Sequence, residues 1–241
     1  MHFSTTRLTW TVILGALAAL AVVEGVRLGL LYRSVKGNKR YWELRATEPY
    51  PPGEFLYLAL GDSVAQGIGA SRPSRGYVGL IAQHIERSTG RDVRVINVSS
   101  TGATTADVLS QQLPRIQNLH PDLVTLDVGA NDLNKKVPEA TFVTNFASIL
   151  DALPAEKTII AELPTFERGP KQSTLMRLNA VVRAQAVAHQ VQLAPIFDVT
   201  STTIHDWTTY AADFFHPSTK GHRNWYHAFA THLDDVLREH P

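Results

Sequence analysis

Residues 55–63 read FLYLALGDS. Six apolar residues run without a break, and Gly61, Asp62 and Ser63 then close the run. A short apolar stretch ended by glycine is the pattern of a strand buried on both faces. Such strands belong to parallel sheets, because crossover helices cover both sides of the sheet. A serine just past the end of such a strand lies on the edge where open α/β sheets gather their ligands.

Working outward, strand and helix signals alternate to the C-terminus. Apolar residues at helical spacing (Val78, Ile81, Ala82, Ile85) predict a helix over 76–88, and VRVINV at 93–98 predicts a second strand. A helix is predicted over 105–119, with Ala106, Leu109 and Leu113 on one face, followed by a strand at 123–128 (LVTLDV). A helix over 138–153 opens near a proline, and TIIAEL at 158–163 is a fourth strand. A long helix over 173–189, a fifth strand within 191–199 and a closing helix over 218–238 complete the series. Short strands separated by helices of ten or more residues indicate βαβ units. Right-handed crossovers make these a three-layer α/β/α sandwich around a five-stranded parallel sheet.

The carboxyl ends of these strands hold the polar residues. They carry Gly61-Asp62-Ser63, then Ser99 to Thr105 around Gly102, then Gly129-Ala130-Asn131-Asp132; the loop before the last helix reads Asp213-Phe214-Phe215-His216-Pro217. A serine hydroxyl needs a neighbouring base to act as a nucleophile. His216 is that base by chemistry, because an imidazole exchanges protons near neutral pH. Asp213, three residues earlier, is placed to hold the imidazole in one tautomer. An oxyanion hole needs donors aimed at developing negative charge. The candidates are the N–H groups of Ser63 and Gly102 and the side-chain amide of Asn131. Asp62 and Asp132 read as loop-holding carboxylates, and Gly67-Ile68-Gly69-Ala70 as a flap over an acyl pocket. His205-Asp206 is a rival histidine–carboxylate pair, but it stands outside these blocks.

These four blocks resemble the SGNH (GDSL) hydrolases, an esterase and lipase superfamily. The matches are GDS with Ser63, the glycine loop with Gly102, GxND with Asn131, and DxxH with Asp213 and His216. The resemblance runs from about Phe55 to the C-terminus. It implies a flavodoxin-like fold, no metal or other cofactor, a Ser63–His216–Asp213 triad, and an oxyanion hole from Ser63, Gly102 and Asn131. Val64 stands where one variant of the motif has leucine, an apolar-for-apolar change. No GxSxG elbow, Walker loop, GxGxxG or HExxH occurs.

Composition narrows the partners. The chain has 241 residues, with 23 Lys+Arg against 22 Asp+Glu, a net charge of +1 that gives no basic stripe for nucleic acid. The absence of cysteine excludes disulfides, thiolate metal sites, a thiol nucleophile and a lipidated cysteine. Residues 12–23 (VILGALAALAVV) follow Arg7 and carry no charge, the layout of an export signal. Extended to about residue 32, past Glu24 and Arg27, the stretch reaches the ~20 residues of a spanning helix. Residues 1–32 are therefore expected to be a signal peptide or a membrane anchor, and 33–54, ending in Pro49-Tyr50-Pro51-Pro52, a linker to a hydrolase domain at 55–241. The export layout puts the domain outside the cytoplasm, anchored or secreted. Arg33, Lys36, Lys39 and Arg40 pull the other way.

The expected partner is a small-molecule, lipid or carbohydrate ester, with the membrane reached through the N-terminal segment. Two alternatives stay open at this level. One is an acyltransferase or acetylesterase acting on cell-envelope carbohydrate; the other is a tethered binding module without turnover. Oligomeric state is not encoded in any of these patterns.

Overall fold

A computed structural model describes residues 3–48, 53–165 and 171–239. Five parallel strands, β1 (Phe55–Gly61), β2 (Val93–Asn97), β3 (Leu123–Asp127), β4 (Thr158–Ala161) and β5 (Gln192–Ala194), form one sheet. Their order is β2-β1-β3-β4-β5, with β1 pairing β2 and β3 and the ladder continuing outward through β4 to β5. This is the flavodoxin-like order. β1 is an interior strand and buries both faces. Phe55, Tyr57 and Ala59 join one core; Leu56, Leu58 and Leu60 join the other.

Helices α2 (Tyr77–Thr89) and α8 (Thr219–Glu239) cover the first face. On α2, Val78, Ile81, Ala82 and Ile85 are buried at helical spacing, and Phe229 of α8 stacks on Tyr77 with ring centroids 4.9 Å apart. The second face is covered by α5 (Glu139–Asp151) and α6 (Gln172–His189), through Phe142, Phe146, Leu175 and Val182. The layers are those expected from the alternation of signals, and the strand order is the one the flavodoxin-like resemblance implies.

Three expectations change. The helix predicted over 105–119 is broken. Its first turn, α3 (Thr105–Asp107), passes into a wide π turn at Val108–Gln112 and a tight turn at Leu113–Arg115 that contains Pro114. The π turn brings buried Gln112 against Gly61, where its amide bonds both the N–H (2.9 Å) and the C=O (2.8 Å). The strand expected within 191–199 is only three residues long, because Pro195 caps a new helix, α7 (Ile196–Thr203).

The third change is the linker. Helix α1 runs unbroken over Phe3–Ala46, 44 residues or about 66 Å. Residues 33–46 are thus helical and docked, not extended. Ser34, Asn38 and Trp42 fall four apart on one stripe and are buried. Asn38 Nδ2 donates to Gly67 O (2.8 Å) and Trp42 Nε1 to Gln66 O (3.1 Å), while Gly69 N–H donates to Ser34 Oγ (3.1 Å). The polar composition of 33–46 hid this stripe. The proline-rich part of the expected linker, 49–52, lies outside the described residues. N-terminal to the docked stripe, the same helix is exposed and apolar, and it is long enough to cross a membrane.

Candidate active site

β1 delivers Ser63 through a turn that only glycine can make. Gly61 has φ +141°, and a Cβ there would stand 2.2 Å from the carbonyl oxygen of Asp127 on the neighbouring strand. The chain then loops from Asp62 to Ala70, closed by the Ile68 N–H on Ser63 O (3.0 Å). This puts Ser63, which is buried, at the carboxyl edge of the sheet.

The loop before α8 carries the other two residues to it. His216 Nε2 lies 3.0 Å from Ser63 Oγ, and His216 Nδ1 lies 2.5 Å from Asp213 Oδ2. Asp213 Oδ1 also accepts the backbone N–H groups of Phe215 (3.1 Å) and His216 (3.0 Å). The tight bend that permits this puts Phe214 at φ +52°. Burial works to raise the Asp213 carboxyl, but the bonds from the His216 ring and the two backbone N–H groups win and hold it below the usual range. Phe215 packs edge-on against the His216 ring, centroids 5.0 Å apart. Such a serine–imidazole–carboxylate chain can generate a nucleophilic hydroxyl and return the proton to a leaving group.

The expected oxyanion donors divide. Among the described residues, the N–H groups of Ser63 and Gly102 donate to no protein acceptor. Gly102 stands at φ +79°, and its carbonyl is taken by Lys135 Nζ at 2.8 Å. A capping box between Thr104 and Asp107 fixes the chain just beyond it. Asn131, on the short helix α4 (Ala130–Asn134), has its amide nitrogen engaged twice, with Asp62 Oδ2 (3.0 Å) and Ala103 O (3.0 Å). Its amide is thus oriented by Asp62, a link that sequence spacing did not reveal.

Asp62 is a loop holder with a second task. Its Oδ1 accepts the Val64 N–H (2.9 Å) while Oδ2 holds Asn131. Full burial raises its carboxyl to about 6. Asp132 likewise ties the Gly102 loop to α4, accepting the N–H (3.0 Å) and hydroxyl (2.6 Å) of Thr105. Sequence reading passed over Asp127, the buried last residue of β3. It accepts a bond from Trp225 Nε1 (3.2 Å), and burial pushes its carboxyl well up. The only signal was a charge closing a mostly apolar strand.

One other expectation moves. The segment 67–70 does not cover the acyl pocket; it is sandwiched between α1 and Pro217, whose carbonyl lies 2.3 Å from where a Cβ of Gly69 would stand. His205 and Asp206 do not pair with each other, since Asp206 caps Thr208 and bonds Lys220 Nζ (2.7 Å). Beside Ser63 opens a cavity of about 550 Å³, lined by Val64, Ile204, Trp207, Phe214, Phe215 and Trp225 among others. Phe214 and Phe215 stand inside the Asp213–His216 block, but no pattern marked them, or Ile204, Trp207 and Trp225, as lining.

A parallel 2-1-3-4-5 sheet with a serine just past the end of its first strand, an Asp-x-x-His loop and a glycine–asparagine pair define a class of ester-cleaving α/β/α proteins. Residues 59–223 match the GDSL-like lipase/acylhydrolase family. The chain belongs to that family and is a serine ester hydrolase. It is 29% identical over 144 residues to the esterase TesA of Pseudomonas aeruginosa, covering 58% of this chain and 69% of that protein. It is 36% identical over 101 residues to an arylesterase of Vibrio mimicus, covering 40% and 47%. The crystal structure of TesA superposes with a TM-score of 0.65 at 25% identity, over 75% of this chain and 99% of that one. A variant of the acetyl xylan esterase Axe2 from Geobacillus stearothermophilus shares the fold, with a TM-score of 0.62 at 20% identity over 75% and 95%.

Proposed function

We propose that this protein hydrolyses carboxylic esters through an acyl-enzyme on Ser63, with His216 as general base and acid and Asp213 as its orienting partner. The observation that carries the reading is the unbroken chain of bonds from Ser63 Oγ through the His216 ring to Asp213. His216 Nε2 takes the proton as Ser63 Oγ attacks the ester carbonyl, and the oxyanion forms against the N–H groups of Ser63 and Gly102. Asn131 completes the hole once its amide leaves one of its two acceptors. His216 then protonates the leaving alcohol. Water attacks the acyl-enzyme by the same route in reverse, so one ester and one water give one acid and one alcohol. The chain is held in a membrane by α1, with the domain on the extracytoplasmic side, a position that the charged start and short apolar run of an export signal support.

The test is hydrolysis of p-nitrophenyl acetate and butyrate by the full chain in detergent, together with reaction with a fluorophosphonate. We expect turnover, one phosphonyl adduct on Ser63 by mass spectrometry, and loss of both in Ser63→Ala. Turnover that persists in Ser63→Ala overturns the assignment.

A further inference from the structure

We propose that the mouth of the Ser63 cavity rests on the membrane from which α1 emerges, and that the enzyme takes long-chain acyl esters lodged in that bilayer. This deepens, and rests on, the ester-hydrolase reading of Ser63. The first observation is direction. α1 descends along the domain against the strands. Arg27 meets the loop before His216, Ser34 and Asn38 meet the loop after β1, and Glu48, just past the helix, meets Arg94 near the start of β2. The exposed apolar part of α1 therefore projects beyond the carboxyl edge of the sheet, the edge that holds Ser63. Because the helix is unbroken, that edge is turned toward whatever the apolar part enters.

The second observation is length. A hydrocarbon core of ~30 Å takes about 20 helical residues. Counted from just beyond Arg7, such a span ends at Arg27. Arg27 is also where the helix meets the domain. Its guanidinium donates to Tyr210 O (3.3 Å) and Ala211 O (3.2 Å), pairs with Glu24 (2.6 Å), and lies over the rings of Trp207 (5.5 Å) and Phe214 (5.6 Å). A cation on a flexible stem held among aromatic rings suits the boundary between lipid and water.

The third observation is the mouth itself. Trp207, Phe214 and Phe215 line the cavity, yet these residues remain 59%, 63% and 42% exposed. A cluster of exposed aromatic residues is a contact surface, and tryptophan in particular concentrates at membrane interfaces. The same rings thus border the lipid and the route to Ser63. An acyl ester in the adjacent leaflet can enter the cavity without crossing water.

Two measurements on the full chain in phosphatidylcholine vesicles test this. The chain has no cysteine, so Phe214→Cys and Glu156→Cys each give one labelling site. A fluorophore at 214 is expected to be quenched by lipids carrying nitroxide on their upper acyl chain, and one at 156, just ahead of β4, is not. Equal or absent quenching overturns the orientation. The second measurement inserts 18 helix-forming residues between Gly25 and Val26. This lifts the mouth by about 27 Å and, at five full turns, keeps its facing. Turnover of p-nitrophenyl palmitate dissolved in the vesicles is expected to fall about tenfold or more, because the ester is no longer held beside the site. Turnover of p-nitrophenyl acetate from water stays unchanged. Palmitate turnover that survives the insertion, or palmitate refused by a parent protein that cleaves acetate, overturns the proposal. A parent protein that cleaves neither ester overturns the hydrolase reading instead.

Discussion

Asp213→Asn separates a triad from a merely adjacent polar group. Asp213 Oδ1 accepts two backbone N–H groups, from Phe215 and His216, while Oδ2 faces His216 Nδ1 at 2.5 Å. Asparagine is the same shape but has only one acceptor oxygen. The two backbone donors claim that oxygen, which turns the new NH2 toward the imidazole. His216 Nδ1 must then accept instead of donate, and the ring proton moves to Nε2, 3.0 Å from Ser63 Oγ. A protonated Nε2 cannot take the serine proton. Misplacing this proton in a serine triad lowers kcat by about 10³–10⁴-fold, or roughly 4–5.5 kcal/mol of transition-state stabilisation. KM should change little, since Asp213 does not line the cavity. The assay is steady-state hydrolysis of p-nitrophenyl butyrate, with circular dichroism to confirm the fold. A folded Asp213→Asn protein retaining more than about a tenth of wild-type kcat would refute the reasoning, because a proton-blocked base cannot work at that rate.

Two further predictions concern the scaffold. Gly61→Ala is expected to destabilise by upward of about 3 kcal/mol, because φ +141° and a 2.2 Å approach to Asp127 O leave no room for a methyl. In thermal melts that is a drop of about 6 °C or more, and a smaller drop would mean β1 and β3 separate easily. His222 is fully buried between Ile68 O and Tyr77 N–H, and burial lowers its imidazole to about 4. Unfolded, it titrates near ~6.5. Its neutral form therefore contributes stability that is whole above that pH and is lost as pH falls toward 4, roughly 3 kcal/mol in all. Asp62, raised to about 6, works in the opposite direction over part of that window, so the comparison is made with His222→Gln. Urea midpoints between pH 7 and 4 should fall less steeply in His222→Gln than in the parent; parallel curves would remove His222 as the cause.

The strands and the site were legible for one shared reason. A strand covered by helices on both faces is mostly apolar, so polar residues gather where the strand leaves the core. Gly61-Asp62-Ser63 and Asn131-Asp132 announced themselves in that way, and the strand ends were correct to within a residue or two. Helix boundaries were less legible where a polar side chain is buried by a distant partner. Gln112 reads as a surface residue of an ordinary helix, yet it is buried against Gly61 and the helix widens to put it there. Asn38 and Trp42 read as part of a polar spacer, yet they bond carbonyls of the loop after β1.

The sequence by itself determined the alternation of elements, the sheet edge that carries the polar loops, and the residue types able to do acyl chemistry there. These follow from local rules: periodicity, glycine at forbidden angles, and the chemistry of a hydroxyl, an imidazole and a carboxylate. Tertiary structure alone decided which of those groups touch. It seated Asp62 on Asn131, closed the cavity with aromatic residues from 204–215, and joined residues 3–32 of the leader and 33–46 of the expected spacer in one helix. Each of these depends on a contact between segments far apart in the chain. No local pattern encodes such a contact, because its free energy exists only once both segments are buried against each other.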